Sequence, residues 1–137
     1  EKTVLEGRPN LLAAAFSGAM PSRVLLDALA ENRDRADVVA ALDGWGRLAD
    51  QGARVLNDPV ALGALMNEAQ ELYDAIELDA LAAPRLAEAR AAIKDLCTGS
   101  KFTGAGGDRS LVAVFEDTAK RAEAGRRLHE LGLVTVS

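Results

Sequence analysis

A glycine-rich segment between two short apolar runs is the feature that most restricts how this chain can fold. Residues 101–110 read KFTGAGGDRS, and the apolar run LVAVF follows directly. Short apolar runs bounded by glycine and polar residues are typical of buried strands. The segment is therefore predicted to join two strands. Its glycines would either cradle a phosphate with backbone N–H groups or form a bend that binds nothing.

The composition predicts one soluble domain. At 137 residues the chain is long enough to bury a core without disulfides or metals. Apolar residues make up 49% of the chain and aromatic residues only 4%, which favours closely packed helices. The net charge of -5 argues against binding to nucleic acid or to anionic membranes. The apolar run at residues 11–16 is too short to span a bilayer.

The cysteine content and the first residue bear on two questions: the cellular compartment, and whether the sequence is a piece of a longer protein. Cys97 is the only cysteine, so no internal disulfide can form and a cytoplasmic location is predicted. The sequence begins at Glu1 without an initiator Met. We therefore expect a processed product or a piece of a longer protein. Residues 1–9 are interpreted as a lead-in and residues 10–137 as the domain.

Helix and strand signals predict the order strand, about four helices, two strands, helix, strand. The predicted strands and helices lie at residues 11–16, 21–29, 34–56, 59–76, 84–97, 101–103, 110–115, 118–131 and 133–136. Gly44 and Gly46 predict a bend or a break in the second helix. Asp58 followed by Pro59 is typical of a helix cap. This order predicts an α+β fold with the helices on one side of a small antiparallel sheet.

Three stretches of the chain resemble the GHMP kinases, a family of small-molecule kinases. GSKFTGAGGDRSLVAVF resembles their third conserved motif, K-x-T-G-A-G-G-G-G-C before an apolar strand. LGALMNEAQELYDAIELD is similar to the preceding helix in mevalonate kinases, and NLLAAAFSGAMPSRVLLDAL is similar to the opening strand, turn and helix of their C-terminal domain. The resemblance runs from Asn10 onward. The positions that match the third motif are Lys101, Thr103, Gly104, Ala105, Gly106 and Gly107.

The resemblance implies a ferredoxin-like C-terminal domain of a mevalonate or phosphomevalonate kinase. Such a kinase phosphorylates a small-molecule substrate with ATP and Mg²⁺ in the full-length protein. The implied nucleotide and phosphate loop consists of Thr103, Gly104, Ala105, Gly106, Gly107 and Asp108. It would lie beside the phosphate-transfer site at the interface between two domains.

The sequence departs from the family at two places. Asp108-Arg109-Ser110 stands where the family continues with Gly-Gly-Cys. The loop P-x-x-x-G-L-G-S-S and the catalytic aspartate and lysine belong to an N-terminal kinase domain that this sequence lacks. The resemblance therefore assigns no catalytic residue here, and the chain is expected to be inactive without that partner domain.

A second candidate site lies where the first strand gives way to a helix. Ser22 is at or next to the predicted helix start, where free N–H groups favour an anion, and Arg23 could add a forked donor. The resemblance makes Ser17, Ser22 and Arg23 the substrate-side candidates. A plain helix cap with a solvated arginine is the alternative interpretation.

Other chemically notable residues receive structural interpretations. His129 is expected at the surface and Cys97 in the core, and one histidine makes neither a metal site nor a catalytic triad. Two other functions stay open: a stand-alone GHMP-like module with a non-catalytic binding role, and an α+β domain whose glycine loop matches by chance. Oligomeric state is also open, with a homodimer as one option.

Overall fold

A computed structural model of the chain describes residues 7–18, 22–103 and 108–137. The elements are β1 (Leu11–Ala15), α1 (Ser22–Glu31), α2 (Ala36–Gly52), α3 (Pro59–Asp74), a 3₁₀ turn (Asp79–Leu81), α4 (Pro84–Ile93), β2 (Gly99–Phe102), β3 (Ser110–Val114), α5 (Thr118–Glu130) and β4 (Val134–Val136). The four strands form an antiparallel sheet in the order β2-β3-β1-β4. The predicted α+β class is confirmed.

The main core lies between one face of the sheet and helices α4 and α5. Cross-strand pairing puts Leu12 opposite Ala113 and Ala14 opposite Leu111, and all four side chains are buried. Leu86 and Ile93 of α4 pack into the same cluster. This burial supplies most of the driving force for the fold, because each large apolar side chain removed from water contributes about 1.5–3 kcal/mol.

The break that Gly44 and Gly46 predict as an alternative to a bend is wrong, because α2 continues from Ala36 to Gly52. Gly44 is buried, and a Cβ atom there would lie 2.4 Å from the Leu72 side chain of α3. The glycine therefore permits close contact between the two helices, and this packing outweighs its poor helix propensity.

Helix α3 lies along the edge strand β2 at unusually short distance. A Cβ atom on Gly99 would lie 2.0 Å from the Gly63 carbonyl oxygen, so the two backbones touch. The Asn67 Oδ1 accepts a hydrogen bond from the Ser100 N–H at 3.1 Å. The Gln70 Oε1 accepts one from the Phe102 N–H at 2.7 Å. The helix thus satisfies N–H groups that an edge strand would otherwise leave unpaired.

Aspartate side chains cap three of the helices. Asp58 accepts from the Ala61 N–H at 3.0 Å at the start of α3, as predicted from Asp58-Pro59. Asp117 accepts from the Lys120 N–H at 2.8 Å at the start of α5. The third cap, on α4, comes from a distant part of the chain and belongs to the candidate site.

Candidate functional site

The C-terminal end of β1 and both ends of the glycine-rich loop meet at one end of the sheet. The Phe16 N–H donates to the Arg109 carbonyl at 2.9 Å, and the Thr103 N–H donates to the Ser110 carbonyl at 3.0 Å. Ser17, which is exposed, therefore lies next to the base of the loop. We refer to Ser17, Arg85, Thr103 and Asp108 as the sheet-end site.

The glycines predicted to form the phosphate loop all fall in the segment between the two described ends of the loop. Gly104, Ala105, Gly106 and Gly107 lie outside the described residues. Thr103 is half-buried, and its hydroxyl is hydrogen-bonded to the Ser110 hydroxyl. That contact holds the two ends of the loop together, and either hydroxyl could be the donor.

Asp108 caps helix α4 instead of pointing into an open loop. Its Oδ1 accepts a hydrogen bond from the Leu86 N–H at 3.0 Å. The residue at the N-cap position of α4 is Ala83, whose side chain offers no acceptor, so Asp108 supplies the cap from 22 residues away. Its φ of 57° lies in the left-handed region, which Asp tolerates better than most residues.

The Asp108 cap can be tested by stability measurements. We expect Asp108→Ala to lower the free energy of unfolding by about 1–2 kcal/mol, because the cap is lost while a side chain stays in the left-handed region. Asp108→Asn keeps an oxygen acceptor and tolerates this φ, so it should cost less than half as much. Denaturant titration measures both variants. Equal losses in Asp108→Ala and Asp108→Asn would contradict the cap.

Arg85 is a residue of this site that sequence reasoning missed. Its guanidinium carbon lies 3.8 Å from the centroid of the Phe16 ring, so the cation stacks on the residue that precedes Ser17. Arg85 is exposed and follows Pro84 in the first turn of α4. The sequence signal that could have identified Arg85 is its position directly after the proline that starts α4. Its position beside the loop, however, depends on tertiary packing that the pattern does not reveal.

The second predicted site is brought together only in part. Ser22 begins α1, as predicted, but its side chain lies outside the description. The Arg23 side chain is 91% exposed and its Nε lies 3.9 Å from the Asp27 carboxylate. No contact of Arg23 with the sheet-end site occurs among the described residues. Of the three substrate-side candidates, only Ser17 is placed beside the loop.

A cleft of about 530 Å³, whose lining includes charged side chains from both helices, separates α3 from α4. The Arg90 guanidinium donates to the Ser100 hydroxyl at 2.9 Å and to the Asn67 amide oxygen at 3.3 Å. Burial lowers the pKa of Arg90, and the nearby Asp74 carboxylate partly offsets this effect. Arg90 therefore ties α4 to α3 and β2.

Cys97 lines the same cleft and is half-buried. Burial raises the pKa of its thiol, which keeps it in the poorly nucleophilic protonated form. His129 is exposed on α5. Within the described parts of the chain, no group of three or more His, Cys, Asp or Glu side chains could hold a metal ion. No helix described is long and apolar enough to cross a membrane.

Comparison with solved structures shows which proteins share this fold. L. major mevalonate kinase in complex with R-mevalonate matches 94% of the chain with a TM-score of 0.77 at 18% identity. Streptococcus pneumoniae phosphomevalonate kinase in complex with phosphomevalonate and AMPPNP matches 96% with a TM-score of 0.74 at 15% identity. Methanococcus jannaschii mevalonate kinase matches 92% with a TM-score of 0.73 at 17% identity.

The match covers only part of each of those kinases. The chain spans 40% of the L. major and S. pneumoniae proteins and 38% of the M. jannaschii protein. No family model matches the sequence, and no curated protein matches it. The resemblance to GHMP kinases is thus confirmed at the level of fold, over a length consistent with one C-terminal domain.

Proposed function

We propose, from the fold shared with mevalonate and phosphomevalonate kinases, that this chain is the C-terminal domain of an ATP-dependent small-molecule kinase. The observation that carries the proposal is a match over more than nine-tenths of the chain to about 40% of each kinase. In this proposal, the sheet-end site forms one wall of a cleft whose other wall is an N-terminal domain. Phosphoryl transfer depends on positioning and charge neutralisation, so one wall alone is inactive.

The described residues of the sheet-end site suit a supporting role beside phosphates. Arg85 supplies a cation, and Thr103 and Ser17 supply hydroxyl groups. Asp108 already binds the N-terminus of α4, so its carboxylate is turned toward the protein. We assign no magnesium ligand to the chain. In the full-length kinase, ATP and Mg²⁺ would be held mainly by the partner domain.

An exposed apolar face fits a partner domain. Helices α4 and α5 cover the face of the sheet that carries Leu12 and Ala14. On the opposite face, Ala13 pairs with Val136 and Ala15 with Val134. Val134 and Val136 are each 68% exposed. Helix α3 packs against the β3 part of this face, so the exposed valines of β4 are the apolar edge against which a partner domain would pack.

The kinase proposal is tested with the intact gene product. With MgATP, we expect ADP release with one of two acceptors, mevalonate or phosphomevalonate, and none from the 137-residue chain alone. Thr103→Ala in the intact product should lower kcat/KM at least about tenfold, because a donor at the transfer site is lost. Thr118→Ala is the matched control, because Thr118 is exposed and follows the opposite end of β3. This control should keep normal activity.

Two results would count against this function. ADP production by the 137-residue chain above that of its Thr103→Ala variant would show that the domain is active alone. Absence of turnover by the intact product with either acceptor would favour the second candidate, a non-catalytic binding module. The Asp108 contact with the Leu86 N–H favours that candidate, because it occupies a helix-end donor that an anionic ligand could otherwise use.

A further inference from the structure

A second cavity, of about 410 Å³, lies between α2 and α3 and is largely apolar. We call it the α2–α3 pocket. Its walls include side chains of α2, of α3 and of the segment that joins them, and its only charged residue comes from β2. The lining includes Trp45, Leu48, Ala53, Met66 and Lys101.

The polar atoms of the pocket are mostly engaged within the protein. The Trp45 indole N–H donates to the Ala69 carbonyl at 2.9 Å. The Gln70 side chain binds the Phe102 N–H and the Asp74 carboxylate, and the Tyr73 hydroxyl donates to the Leu81 carbonyl. A ligand in the pocket therefore meets apolar surface and one cation, Lys101.

The Lys101 ammonium has no acidic partner among the described residues. Its Nζ donates to the Phe102 carbonyl at 2.8 Å, which uses one of three N–H donors. Burial lowers the pKa of Lys101 because the charged form loses water without gaining a counter-ion. A partly buried charge in this state gains more from an incoming anion than an exposed lysine does.

We propose that the α2–α3 pocket binds an aliphatic monocarboxylate, with its chain between Leu48 and Met66 and its carboxylate on Lys101. A carboxylate matches the single positive charge. A phosphate monoester would bring close to two negative charges to one ammonium, with no arginine in the lining to share them. A cavity of this volume lies in the usual range for small-molecule sites. The site is separate from the sheet-end site and does not depend on the kinase proposal.

The first test uses octanoate as the probe, with 1-octanol as its uncharged counterpart. Titration of the protein should give saturable 1:1 binding of octanoate by calorimetry. Because Trp45 is the only tryptophan, its fluorescence should change with the same midpoint. Hexanoate should bind about fifteenfold more weakly than octanoate, since it lacks two methylenes and each buried methylene strengthens binding about fourfold.

The second test separates the charge from the apolar cavity. Lys101→Met should weaken octanoate binding about tenfold and leave octanol binding unchanged, because only the charge-assisted contact is lost. Unchanged octanol binding also shows that the variant has kept its fold. Ala53→Phe, which fills the cavity, should abolish binding of both probes. In the unsubstituted protein, NMR signals of the Trp45 indole N–H and the Met66 methyl group should shift on addition of octanoate.

Three outcomes would overturn the proposal. The first is the absence of saturable octanoate binding by the unsubstituted protein. The second is equal octanoate affinity in Lys101→Met, which would leave the ammonium without a role. The third is an NMR response that leaves Trp45 and Met66 unshifted, which would place any binding elsewhere.

Discussion

Gly99→Ala is expected to lower the free energy of unfolding by about 3 kcal/mol or more, because α3 and β2 pack backbone against backbone at this point. A Cβ atom on Gly99 would lie 2.0 Å from the Gly63 oxygen and 2.4 Å from its carbonyl carbon. Neither backbone can rotate away as a flexible side chain would. The helix must therefore separate from the strand, which also lengthens the hydrogen bonds made by Asn67 and Gln70.

The matched control for this substitution is Gly46→Ala. Gly46 lies within α2, it is exposed, and a Cβ atom there meets nothing within 4 Å. Alanine at that position should stabilise the protein by up to about 1 kcal/mol through helix propensity alone. Urea or thermal unfolding of the two variants measures the difference. Gly99→Ala within 0.5 kcal/mol of the unsubstituted protein would disprove the close contact.

A double substitution tests whether Gly63 and Gly99 act at the same contact. Gly63→Ala should also destabilise the protein strongly, since its Cβ atom would lie 2.4 Å from the carbonyl carbon of Thr98. Once either alanine has separated α3 from β2, the second meets less resistance. The loss in the double variant should therefore be smaller than the sum of the two single losses.

Features set by neighbouring residues in the chain could be predicted from the sequence. The Asp58-Pro59 cap and the strand that contains the run of alanines at 13–15 both follow from short-range patterns. These patterns work because a helix cap, and the turn residues that bound a short apolar run, both act within a few residues. The element order, and with it the α+β class, depends on such local signals.

Features that depend on contacts between distant elements could not be predicted. The glycine pattern at Gly44 and Gly46 indicated a bend or a break, whereas Gly44 in fact makes room for Leu72 of another helix. Asp108 was interpreted through the loop it follows, but its partner is the Leu86 N–H, 22 residues earlier. Arg85 was not singled out, because only the fold brings it to Phe16. In each case the deciding neighbour is far away in the sequence.

Gln70→Met is expected to lower the free energy of unfolding by about 2–3 kcal/mol, because it leaves the Phe102 N–H without an acceptor in a buried position. Gln70 is 2% exposed, and its Oε1 accepts from the Phe102 N–H at 2.7 Å. Methionine has nearly the same length and flexibility, so packing changes little while the acceptor is removed. Gln51→Met is the matched control, because Gln51 is exposed on α2 and its replacement should change stability by less than 0.5 kcal/mol.

Hydrogen exchange separates the lost acceptor from a general loss of stability. In Gln70→Met, exchange at Phe102 should accelerate more than exchange at Leu111, which lies opposite it in the sheet. An equal acceleration at both residues would mean that the bond contributes nothing of its own.

Phe102 is followed by Thr103, the first residue of the predicted phosphate loop, so an edge strand released from α3 would also release one end of that loop. In the intact gene product, Gln70→Met should therefore lower the proposed acceptor-dependent ADP release under conditions where the protein is still fully folded.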